Sequence, residues 1–423
     1  MVRQLFTRVS KPSSLLLSAL LFLTGAANAA STTVLHEFGL GQDGASPSSS
    51  IIFDSAGNIY GETASGGTGP CTGGCGTVYR ISPDGTGFKE TGSYSFRGPT
   101  HGDGRTPQGA LIMDSAGNLY GVTSNGGTKD SGTVFKLTPG SNGAWTESVL
   151  YAFGVASGQA GGIGPSGKLL LDGSGNLYGV TAGGGSRNGG VVFELTPSAS
   201  GPWTETVLHS FAPAGKLDGN QPVGIIFDSA GDIFGVTSFG GTESVEGAGT
   251  VFELVNESGL WAYRSVHTFA PTGENLQTPN GGMVFDSSGN LYVGMSRGGR
   301  GGAGVVELIP NGNKYAPAAL YSFLGEGLPP APYEALVFDN SGNLYSASYP
   351  GGPGSGCDIG CGLVYKLSPG EPHWIPTQVD LTTDGVLGGE PFGGVTLDSQ
   401  GNIYVATAIN GTHGGGALFR INP

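Results

Sequence analysis

Short apolar runs separated by glycine-rich turns follow one another along residues 33–423. One run, such as Ile225-Ile226-Phe227, precedes each turn, and an aromatic-Gly-Val-Thr run, such as residues 120–123, follows it. Short runs of β-branched and aromatic residues bounded by Gly, Pro and Asn are typical of strands, and no helical period is visible. The pattern predicts an all-β protein.

The turn itself recurs seven times as Asp-x-x-Gly-Asn/Asp, followed by Leu or Ile and an aromatic residue. The copies begin at Asp54, Asp114, Asp172, Asp228, Asp286, Asp339 and Asp398. Their spacing varies between 53 residues (Asp286 to Asp339) and 60 residues (Asp54 to Asp114). Each period contains four strand patterns, and seven such units predict a seven-bladed β-propeller with four-stranded blades.

The two ends of the repeat region complement each other. The seventh unit stops at residues 420–423, after its third strand pattern. The missing fourth pattern occurs at residues 34–38, Val-Leu-His-Glu-Phe, which match Val-Leu-His-Ser-Phe at residues 207–211. We therefore predict that the N-terminal strand completes the last blade and closes the ring, which leaves no unpaired edge.

The first 29 residues resemble an export signal. Positive charges at Arg3, Arg8 and Lys11 precede an apolar stretch at residues 15–23, and Ala27-Asn28-Ala29 has the small-x-small pattern of a cleavage site. The stretch is shorter than the ~20 apolar residues of a membrane span. We predict a signal peptide at 1–29 and a single propeller domain at 30–423, in a secreted or periplasmic protein; the alternative is an apolar N-terminal core helix.

The net charge of the chain disfavours some classes of binding partner. The formal net charge is −14, and loss of the three signal-peptide cations would take it to about −17. Acidity on this scale disfavours nucleic acid and anionic membrane surfaces as partners. It suits a soluble protein that handles cations or neutral polymers. The 82 glycines recur at fixed offsets, so they mark turns rather than disorder.

Several motifs together resemble a known family. They are Gly-Thr-Val-Phe-Lys-Leu-Thr-Pro at residues 132–139, Val-Leu-His-Ser-Phe at 207–211, Asp-Gly-x-x-Pro at 218–222 and Asn-Leu-Tyr-Gly-Val-Thr-x-x-Gly-Gly at 118–127. The combination resembles the GloVer tandem-repeat family of bacterial exported proteins, over residues 33–423. More loosely, the unit is similar to NHL and SMP-30-type propellers, which include lactonases, lyases and binding modules. The resemblance therefore implies a fold and leaves the function open.

Residue types that recur at one offset in many units are interpreted as scaffold. The tryptophans that open the fourth strand pattern are Trp145, Trp203, Trp261 and Trp374. Another offset holds His36, His209 and His267 in some units and Tyr94, Tyr151 and Tyr321 in others. We interpret both sets as packing residues, neither a sugar platform nor metal ligands. The repeated aspartates are interpreted as turn formers, with calcium binding as the alternative.

The four cysteines form two C-x-x-x-C pairs, Cys71 with Cys75 and Cys357 with Cys361. In an exported chain the spacing predicts two local disulfides, each closing a small ring. A four-cysteine zinc site that joins the two loops is the alternative.

The loop that leads into the first strand pattern repeats as Asp-Gly-x-x-Pro. Its acidic residues are Asp43, Asp103 and Asp218, with degenerate copies at Glu274 and Asp384. We expect these carboxylates near the mouth of the central channel, where they would accept hydrogen bonds from sugar hydroxyls or bind a cation. The alternative is again a turn, with Asp as a cap and Pro fixing the start of the strand.

Departures from the repeat are further candidates. Glu62 stands where other units carry valine, namely Val122, Val180, Val236 and Val405. Arg105 and His101 flank Asp103, and the variable loops also contain Arg297, Arg300 and His413. A Glu beside a His or Arg can perform acid–base chemistry. The candidate ligand-binding residues are therefore Glu62, Asp43, Asp103, Arg105, Asp218 and Glu274. No catalytic residue is assigned.

The loops between the second and third strands and between the fourth and first strands share one face and vary between units. Binding usually resides in variable loops on a constant scaffold. We predict a monomeric, non-catalytic binding module for extracellular polysaccharide or protein, with no membrane span and no identified cofactor or metal. The alternatives are a carbohydrate-active lyase, hydrolase or lactonase with its site at the channel mouth, and a cell-envelope structural protein.

Overall fold

The computed structural model describes residues 31–39, 42–85, 87–140, 143–154, 161–198, 202–212, 217–242, 248–269, 276–298, 303–312, 314–322, 332–348, 362–370, 374–379, 389–409 and 411–422. The predicted signal peptide lies outside these residues, as do Glu274, Asp384, Cys357 and Cys361.

Seven sheets make up the described chain, and each is one blade. Blade 1 contains β2 (Ala45–Pro47), β3 (Ile52–Phe53), β4 (Ile59–Ser65), β5 (Thr77–Asp84) and β6 (Gly87–Ser95). Blade 2 contains β7 (Gly104–Pro107), β8 (Ile112–Met113), β9 (Leu119–Gly126), β10 (Thr133–Pro139) and β11 (Trp145–Ala152). Blade 3 contains β12 (Gly162–Leu171), β13 (Leu177–Gly184), β14 (Val191–Thr196) and β15 (Thr204–Ser210). Blade 4 contains β16 (Asn220–Phe227), β17 (Ile233–Phe239), β18 (Thr250–Glu257) and β19 (Leu260–Thr268).

The remaining blades follow the same order. Blade 5 contains β20 (Leu276–Phe285), β21 (Leu291–Gly298), β22 (Gly304–Asn311) and β23 (Lys314–Ser322). Blade 6 contains β24 (Pro332–Phe338), β25 (Leu344–Ser348), β26 (Leu363–Ser368) and β27 (Ile375–Val379). Blade 7 contains β28 (Thr396–Leu397), β29 (Ile403–Thr407), β30 (Ala417–Asn422) and β1 (Ser31–Glu37). A short 3₁₀ turn, Pro99–His101, connects blades 1 and 2.

Each blade is an antiparallel sheet, which confirms the predicted seven-bladed β-propeller. In blades 1 to 6 the strands follow chain order from the centre outwards, and in blade 7 the first strand of the chain is outermost. In blades 1 and 2 the innermost strand is split into two segments, and both segments pair with the second strand. Glycines bring innermost strands of neighbouring blades into backbone contact: a Cβ on Gly109 would lie 2.5 Å from the carbonyl oxygen of Gly167. The described part of the chain holds no helix long and apolar enough to cross a membrane.

The N-terminal strand closes the ring as predicted. Strand β1 pairs antiparallel with β30, from Ser31 opposite Asn422 to Glu37 opposite Ala417. The two strands also share a side-chain hydrogen bond between Asn422 Nδ2 and Ser31 Oγ at 3.0 Å. Blade 7 therefore combines both ends of the described chain, and its outer edge consists of the first strand.

The hydrophobic core lies between blades. A typical cluster combines Tyr60 and Val78 of blade 1 with Leu119 and Phe135 of blade 2. Trp145, which opens the outer strand of blade 2, contacts Tyr60 edge to face with ring centroids 5.9 Å apart. Trp261 and Trp374 make the same contact with the preceding blade, at 5.8 and 5.9 Å. Edge-to-face pairs stabilise beyond their buried area, so these tryptophans join blades, as the repeat offset indicated.

The repeated Asp-x-x-Gly-Asn turn is held by its own aspartate. In the first copy, Asp54 Oδ1 accepts hydrogen bonds from the backbone of Ala56 and Asn58 at 2.9 Å. Its Oδ2 accepts from Asn58 Nδ2 at 2.6 Å and from Tyr60 Oη at 2.9 Å. Burial alone would raise the pKa of Asp54, but these hydrogen bonds hold it below its ordinary value. The bonds agree with the interpretation of this aspartate as a turn former.

A second repeated feature is a backbone hydrogen bond between each of several blades and the blade before it. The residue before the proline of the innermost strand has a left-handed φ of 54° to 59° at Ser46, Thr106, Gln221, Thr278 and Glu390. This conformation is uncommon for a residue other than glycine. A hydrogen bond maintains the conformation, because the backbone N–H of the residue donates to a carbonyl oxygen of the preceding blade. The bonds are 2.8 to 2.9 Å long and are formed by Ser46, Thr106, Gln221 and Thr278.

The proline itself packs on a glycine of that preceding blade. A Cβ on Gly190 would lie 2.6 Å from Cδ of Pro222, and one on Gly132 would lie 2.3 Å from Cδ of Pro165. The Asp-Gly-x-x-Pro motif and the glycine before the third strand are therefore two halves of one contact between blades.

Candidate functional site

A polar cluster recurs where the outer strand of one blade meets the next blade, and we call each copy a joint. In the outer strand a β-bulge at Leu35, Leu150 or Leu208 turns the following His36, Tyr151 or His209 toward the next blade. The closure joint, between blades 7 and 1, contains His36, Asp43 and Glu90. The blade 1–2 joint contains Tyr94, Asp103 and Glu147, and the blade 3–4 joint contains His209, Asp218 and Tyr263.

These joints fix the position of the predicted acidic residues. Asp43, Asp103 and Asp218 each lie against residues of outer strands. The expectation that they gather around the mouth of the central channel is therefore wrong. The reason is geometric: the loop that precedes each innermost strand starts at the outer edge of the previous blade, and the aspartate lies near the beginning of that loop.

Asp103 shows how tightly such an aspartate is held. Its side chain is 1% exposed and Oδ2 accepts from Tyr94 Oη and from the backbone N–H of Arg97, both at 2.8 Å. Its Oδ1 accepts from the backbone N–H of Gly104 at 2.6 Å. The Arg97 guanidinium lies 3.7 Å from Oδ2. These contacts give Asp103 a structural role between blades.

Arg105 is engaged in a surface ion pair within blade 2. Its Nε and Nη2 donate to the two carboxylate oxygens of Asp130 at 2.9 and 2.8 Å. Asp130 also accepts from the backbone N–H of Gly126 at 2.8 Å. The hydrogen bonds from Arg105 hold the pKa of Asp130 below its ordinary value. The pair connects the two variable loops of blade 2, and His101 ends the 3₁₀ turn beside it.

Glu62 lies inside the protein. Its side chain is 0% exposed, and its Oε1 would be 2.8 Å from a Cβ on Gly121 of the next blade. Burial, followed by the charge of Glu62, raises the pKa of Tyr79. The carboxylate therefore faces the interface between blades 1 and 2, where a ligand reaches it only if the interface opens.

One alignment behind the Glu62 prediction needs correction. Glu62 pairs with Val78, whereas Val405 pairs with Phe419 and so corresponds to Gly61, which pairs with Tyr79. The residue equivalent to Glu62 in blade 7 is Ala406, opposite Leu418. The error arises because the aromatic-Gly-Val pattern is replaced by aromatic-Val-Ala in this blade.

The predicted disulfide in blade 1 is confirmed. Cys71 and Cys75 are bonded, and Cys75 is buried in the core between blades 1 and 2. Their loop borders the variable face close to the 3₁₀ turn, because a Cβ on Gly98 would lie 2.9 Å from Cys71 Sγ.

The predicted disulfide in blade 6 has a different outcome. Its two cysteines, Cys357 and Cys361, belong to the loop between β25 and β26, which lies outside the described residues. The disulfide that the described residues contain is that of Cys71 and Cys75. The bond between Cys357 and Cys361 therefore stays a prediction. The alternative zinc site of four cysteines is excluded, because the thiols of Cys71 and Cys75 are consumed in their own disulfide.

A pocket of about 240 Å³ lies on the variable face where the innermost strands of blades 7, 1 and 2 begin. Its lining residues are Ser46, Pro47, Ser48, Ala64, Thr106, Pro107, Gln108, Glu390, Phe392, Ala408 and Ile409. Ser46, Thr106 and Glu390 are the left-handed residues before proline in these three blades. Interblade backbone geometry therefore positions the polar side chains of the pocket.

The pocket offers hydroxyl, amide and carboxylate groups beside one aromatic ring. Ser48 Oγ donates to the carbonyl oxygen of Pro107 at 3.0 Å. Glu390 is the one ionisable side chain among the lining residues. None of the residues predicted to bind ligand lines this pocket. These lining residues were not predicted from the sequence, because the repeated Asp of Asp-Gly-x-x-Pro was selected instead. The signal that would have indicated them is the variable residue just before the proline.

The fold and the pocket define a seven-bladed β-propeller with a small cavity of mixed polar and apolar lining where three innermost strands begin. The chain belongs to the Gloeobacter/Verrucomicrobia repeat family, whose pattern matches residues 21–162, 146–306 and 243–423. This confirms the resemblance that the repeated motifs indicated. No curated protein matches the chain.

Solved structures share the fold at low sequence identity. A fungal alcohol oxidase of the AA5 family, in complex with copper, is 14% identical with a TM-score of 0.56, covering 92% of this chain and 75% of that one. The extracellular domain of a protein described as a one component system, from B. thetaiotaomicron, is 14% identical with a TM-score of 0.51 over 91% of this chain. The match spans 40% of that longer chain. A protein from Lactobacillus plantarum is 12% identical with a TM-score of 0.51, covering 84% and 98% of the two chains.

Proposed function

We propose that this protein is an exported binding module that holds a neutral sugar unit of an extracellular polysaccharide in the pocket at the channel end. The observation that carries the proposal is the composition of that pocket. Ser46, Ser48, Thr106 and Gln108 offer hydrogen-bonding groups at one cavity that also contains the Phe392 ring. Concave sites with a few convergent polar groups beside apolar surface are typical of small-ligand binding.

Charge supports a neutral ligand. Among the described residues, the lining includes the carboxylate of Glu390 and no Lys, Arg or His. The chain as a whole is strongly acidic, with a net charge of −14. A uronate or sulfated sugar would meet repulsion at such a site, whereas hydroxyl groups can donate to Glu390.

Binding is favoured over catalysis for a related reason. Acid–base catalysis on a sugar needs two groups that can exchange protons at the reacting atoms. The lining of the pocket offers one such group, Glu390. Export is supported by the predicted signal peptide and by the Cys71–Cys75 bond, since disulfides persist mainly in oxidising compartments.

The test is titration calorimetry of the mature protein with neutral and uronic-acid oligosaccharides chosen from a glycan array. We expect Phe392→Ala and Glu390→Ala each to weaken binding of a neutral hit at least ~10-fold, the size of a central contact. Gln221→Ala is the matched control, because Gln221 has the same position and φ in blade 4 but lies outside the pocket.

Three results would contradict the proposal. They are binding that the two pocket variants leave unchanged, a preference for uronic acids over neutral sugars, and shortened or unsaturated products after incubation. The last result would instead support the carbohydrate-active enzyme.

A further inference from the structure

The closure joint brings three metal-ligating side chains together. His36 Nε2 lies 3.7 Å from Asp43 Oδ2 and 3.9 Å from Glu90 Oε2. All three ligand atoms lie within 4.8 Å of one another. The side chains of His36, Asp43 and Glu90 are 18%, 31% and 22% exposed, so the cluster borders solvent.

The equivalent joints satisfy their carboxylates in a different way. At the blade 1–2 joint, Tyr94 Oη donates to Asp103 Oδ2 at 2.8 Å. At the blade 2–3 joint, Tyr151 Oη donates to Glu205 Oε2 at 2.7 Å. A tyrosine hydroxyl thus supplies the proton that lies between the groups. At the closure joint His36 replaces tyrosine, as His209 does at the blade 3–4 joint, and Nε2 of each is buried with no hydrogen-bond partner among the described residues. Among the described residues, a second carboxylate beside such a histidine occurs at the closure joint.

Two of the other joints, those between blades 1 and 2 and between blades 3 and 4, also contain a cation supplied by the protein. Arg97 lies 3.7 Å from Asp103, and Arg187 lies 3.5 Å from Asp218. Gly39 of the closure joint corresponds to Arg97, since its backbone N–H donates to Asp43 Oδ2 at 3.0 Å as that of Arg97 does to Asp103. Within the described chain, no Lys or Arg forms an ion pair with Asp43 or Glu90.

Burial and mutual proximity perturb the pKa values of the side chains at the closure joint. Burial, followed by the charge of Asp43, raises the pKa of Glu90 above its ordinary value. Burial lowers the pKa of His36 even though Asp43 and Glu37 act in the opposite direction. The geometry of the joint, independently of these pKa shifts, places an imidazole nitrogen beside the two carboxyl groups.

We propose that His36, Asp43 and Glu90 form a zinc-binding site at the seam where the N-terminal strand closes the propeller. Imidazole nitrogen and carboxylate oxygen are both ligands of Zn²⁺, and a site with three protein ligands keeps its fourth position for water. Ligand bonds of about 2.0–2.2 Å place the ligand atoms of a tetrahedral site roughly 3.3–3.6 Å apart. The observed 3.7 and 3.9 Å from His36 need only small side-chain adjustments, and the carboxylate oxygens of Asp43 and Glu90, which lie within 4.8 Å of each other, must move closer together.

The site differs in position and purpose from the sugar pocket. His36 belongs to β1, the outer strand of blade 7, Asp43 to the loop that follows, and Glu90 to the outer strand of blade 1. A bound ion would fasten the closing strand to the first blade. Because the three ligands come together only in the folded ring, Zn²⁺ stabilises the folded state.

The test uses untagged, chelator-treated protein titrated with zinc chloride, followed by calorimetry and by thermal unfolding. We expect one Zn²⁺ per chain and a higher melting temperature in its presence. Glu90→Gln and His36→Tyr should each weaken Zn²⁺ binding at least ~10-fold. His36→Tyr installs the residue found at the equivalent position of the blade 1–2 and 2–3 joints, so it should keep the fold, as circular dichroism will check.

Two further variants test whether Zn²⁺ binding depends on the closure joint in particular. Gly39→Arg copies the arginine of the blade 1–2 joint and should also weaken Zn²⁺ binding, because its guanidinium would pair with Asp43 as Arg97 does with Asp103. The side chain can be accommodated, since a Cβ on Gly39 meets Asp43 at ordinary contact distance, 3.4 Å. His209→Tyr at the blade 3–4 joint is the control and should leave binding unchanged. The proposal is overturned if the protein takes up no Zn²⁺, if His36→Tyr and Glu90→Gln bind it as well as the wild type, or if Ca²⁺ alone binds through these residues.

Discussion

At the scale of single residues, the repeat provides its own reference for what each position normally contains. Blades 2, 3 and 4 place Val122, Val180 and Val236 where blade 1 has Glu62. These valines are buried between blades, as is the carboxylate. A buried ionisable group gains little from its partners once the cost of removing it from water is included.

Replacing Glu62 by valine is therefore expected to stabilise the protein. We expect Glu62→Val to raise the free energy of unfolding by about 1–2 kcal/mol, measured by guanidinium denaturation. Glu62→Gln is the control, because it removes the charge but keeps a buried polar group, and it should give a smaller gain. If Glu62→Val destabilises the fold or abolishes sugar binding, the carboxylate has a role that its burial does not reveal.

The blade 1–2 joint should make stability depend on pH. Burial, strengthened by the charge of Asp103 and opposed by Arg97, raises the pKa of Glu147 to about 7 from the 4.5 of the free side chain. The folded state thus holds this proton more tightly than the unfolded chain. The resulting stabilisation is full below pH ~4.5 and is lost as the pH rises through about 7.

Glu147→Gln should abolish this contribution. Since the group is partly exposed to solvent, we expect a wild-type loss of about 1–2 kcal/mol between pH 5 and 8 relative to the variant. Tyr94, Asp103 and Arg97 face Glu147 and stay unchanged, so comparing denaturation curves of the two proteins at each pH isolates the one carboxyl. Parallel pH profiles would show that Glu147 titrates as it does in water.

Single residues also mark the limit of prediction from sequence. Repeat offsets identified the joining tryptophans and the turn aspartates correctly, because a contact made in every blade leaves the same residue in every unit. The same reasoning assigned His36 to packing together with Tyr94. His36 does pack edge to face on Phe38, with ring centroids 4.6 Å apart. The shared offset could not show that the two residues differ in their neighbours, which include Gly39 at one joint and Arg97 at the other.

At the scale of strands and turns, short apolar runs between glycine-rich turns were sufficient to predict four strands in each blade. It did not predict the left-handed residue before each proline, because nothing in the local preference of Ser46 or Gln221 favours a positive φ. That conformation is imposed by a hydrogen bond to the preceding blade. The pocket is built from these residues, so its location followed from contacts between blades rather than from local sequence.

The contact between proline and glycine should be intolerant of even one methyl group. Gly190 and Gly231 have nearly equal φ, +91° and +88°, but a Cβ on Gly190 would lie 2.3 Å from a backbone oxygen, whereas one on Gly231 meets nothing within 4 Å. We expect Gly231→Ala to cost about 1 kcal/mol, from backbone strain alone. Gly190→Ala should cost more than about 3 kcal/mol, as chemical denaturation will measure. Equal costs would mean that the blades can separate without loss.

At the scale of the whole molecule, closure by the N-terminal strand makes every blade depend on both ends of the described chain. Without residues 31–38, β30 would present an unpaired edge, and the buried Leu35 and Phe38 would leave the core between blades 7 and 1. Open strand edges promote association with other chains.

We expect a variant that lacks residues 31–38 to unfold at lower denaturant and to associate in solution, as seen by size-exclusion chromatography. A permuted chain that carries the same residues directly after β30 should recover the wild-type midpoint, since Ser31 already lies opposite Asn422. A truncated protein that stays monomeric and equally stable would show that the ring does not need this strand.

Closure also has a consequence for the order of synthesis. Strand β1 is made first and its partner β30 last, 391 residues later. At about 5–20 residues per second, the interval between them is about 20–80 s. During this interval β1 lacks the strand with which it pairs in the native sheet. Its sequence, Ser-Thr-Thr-Val-Leu-His-Glu, is mostly polar. The polar residues of β1 therefore limit its pairing with other chains while the rest of the chain is synthesised.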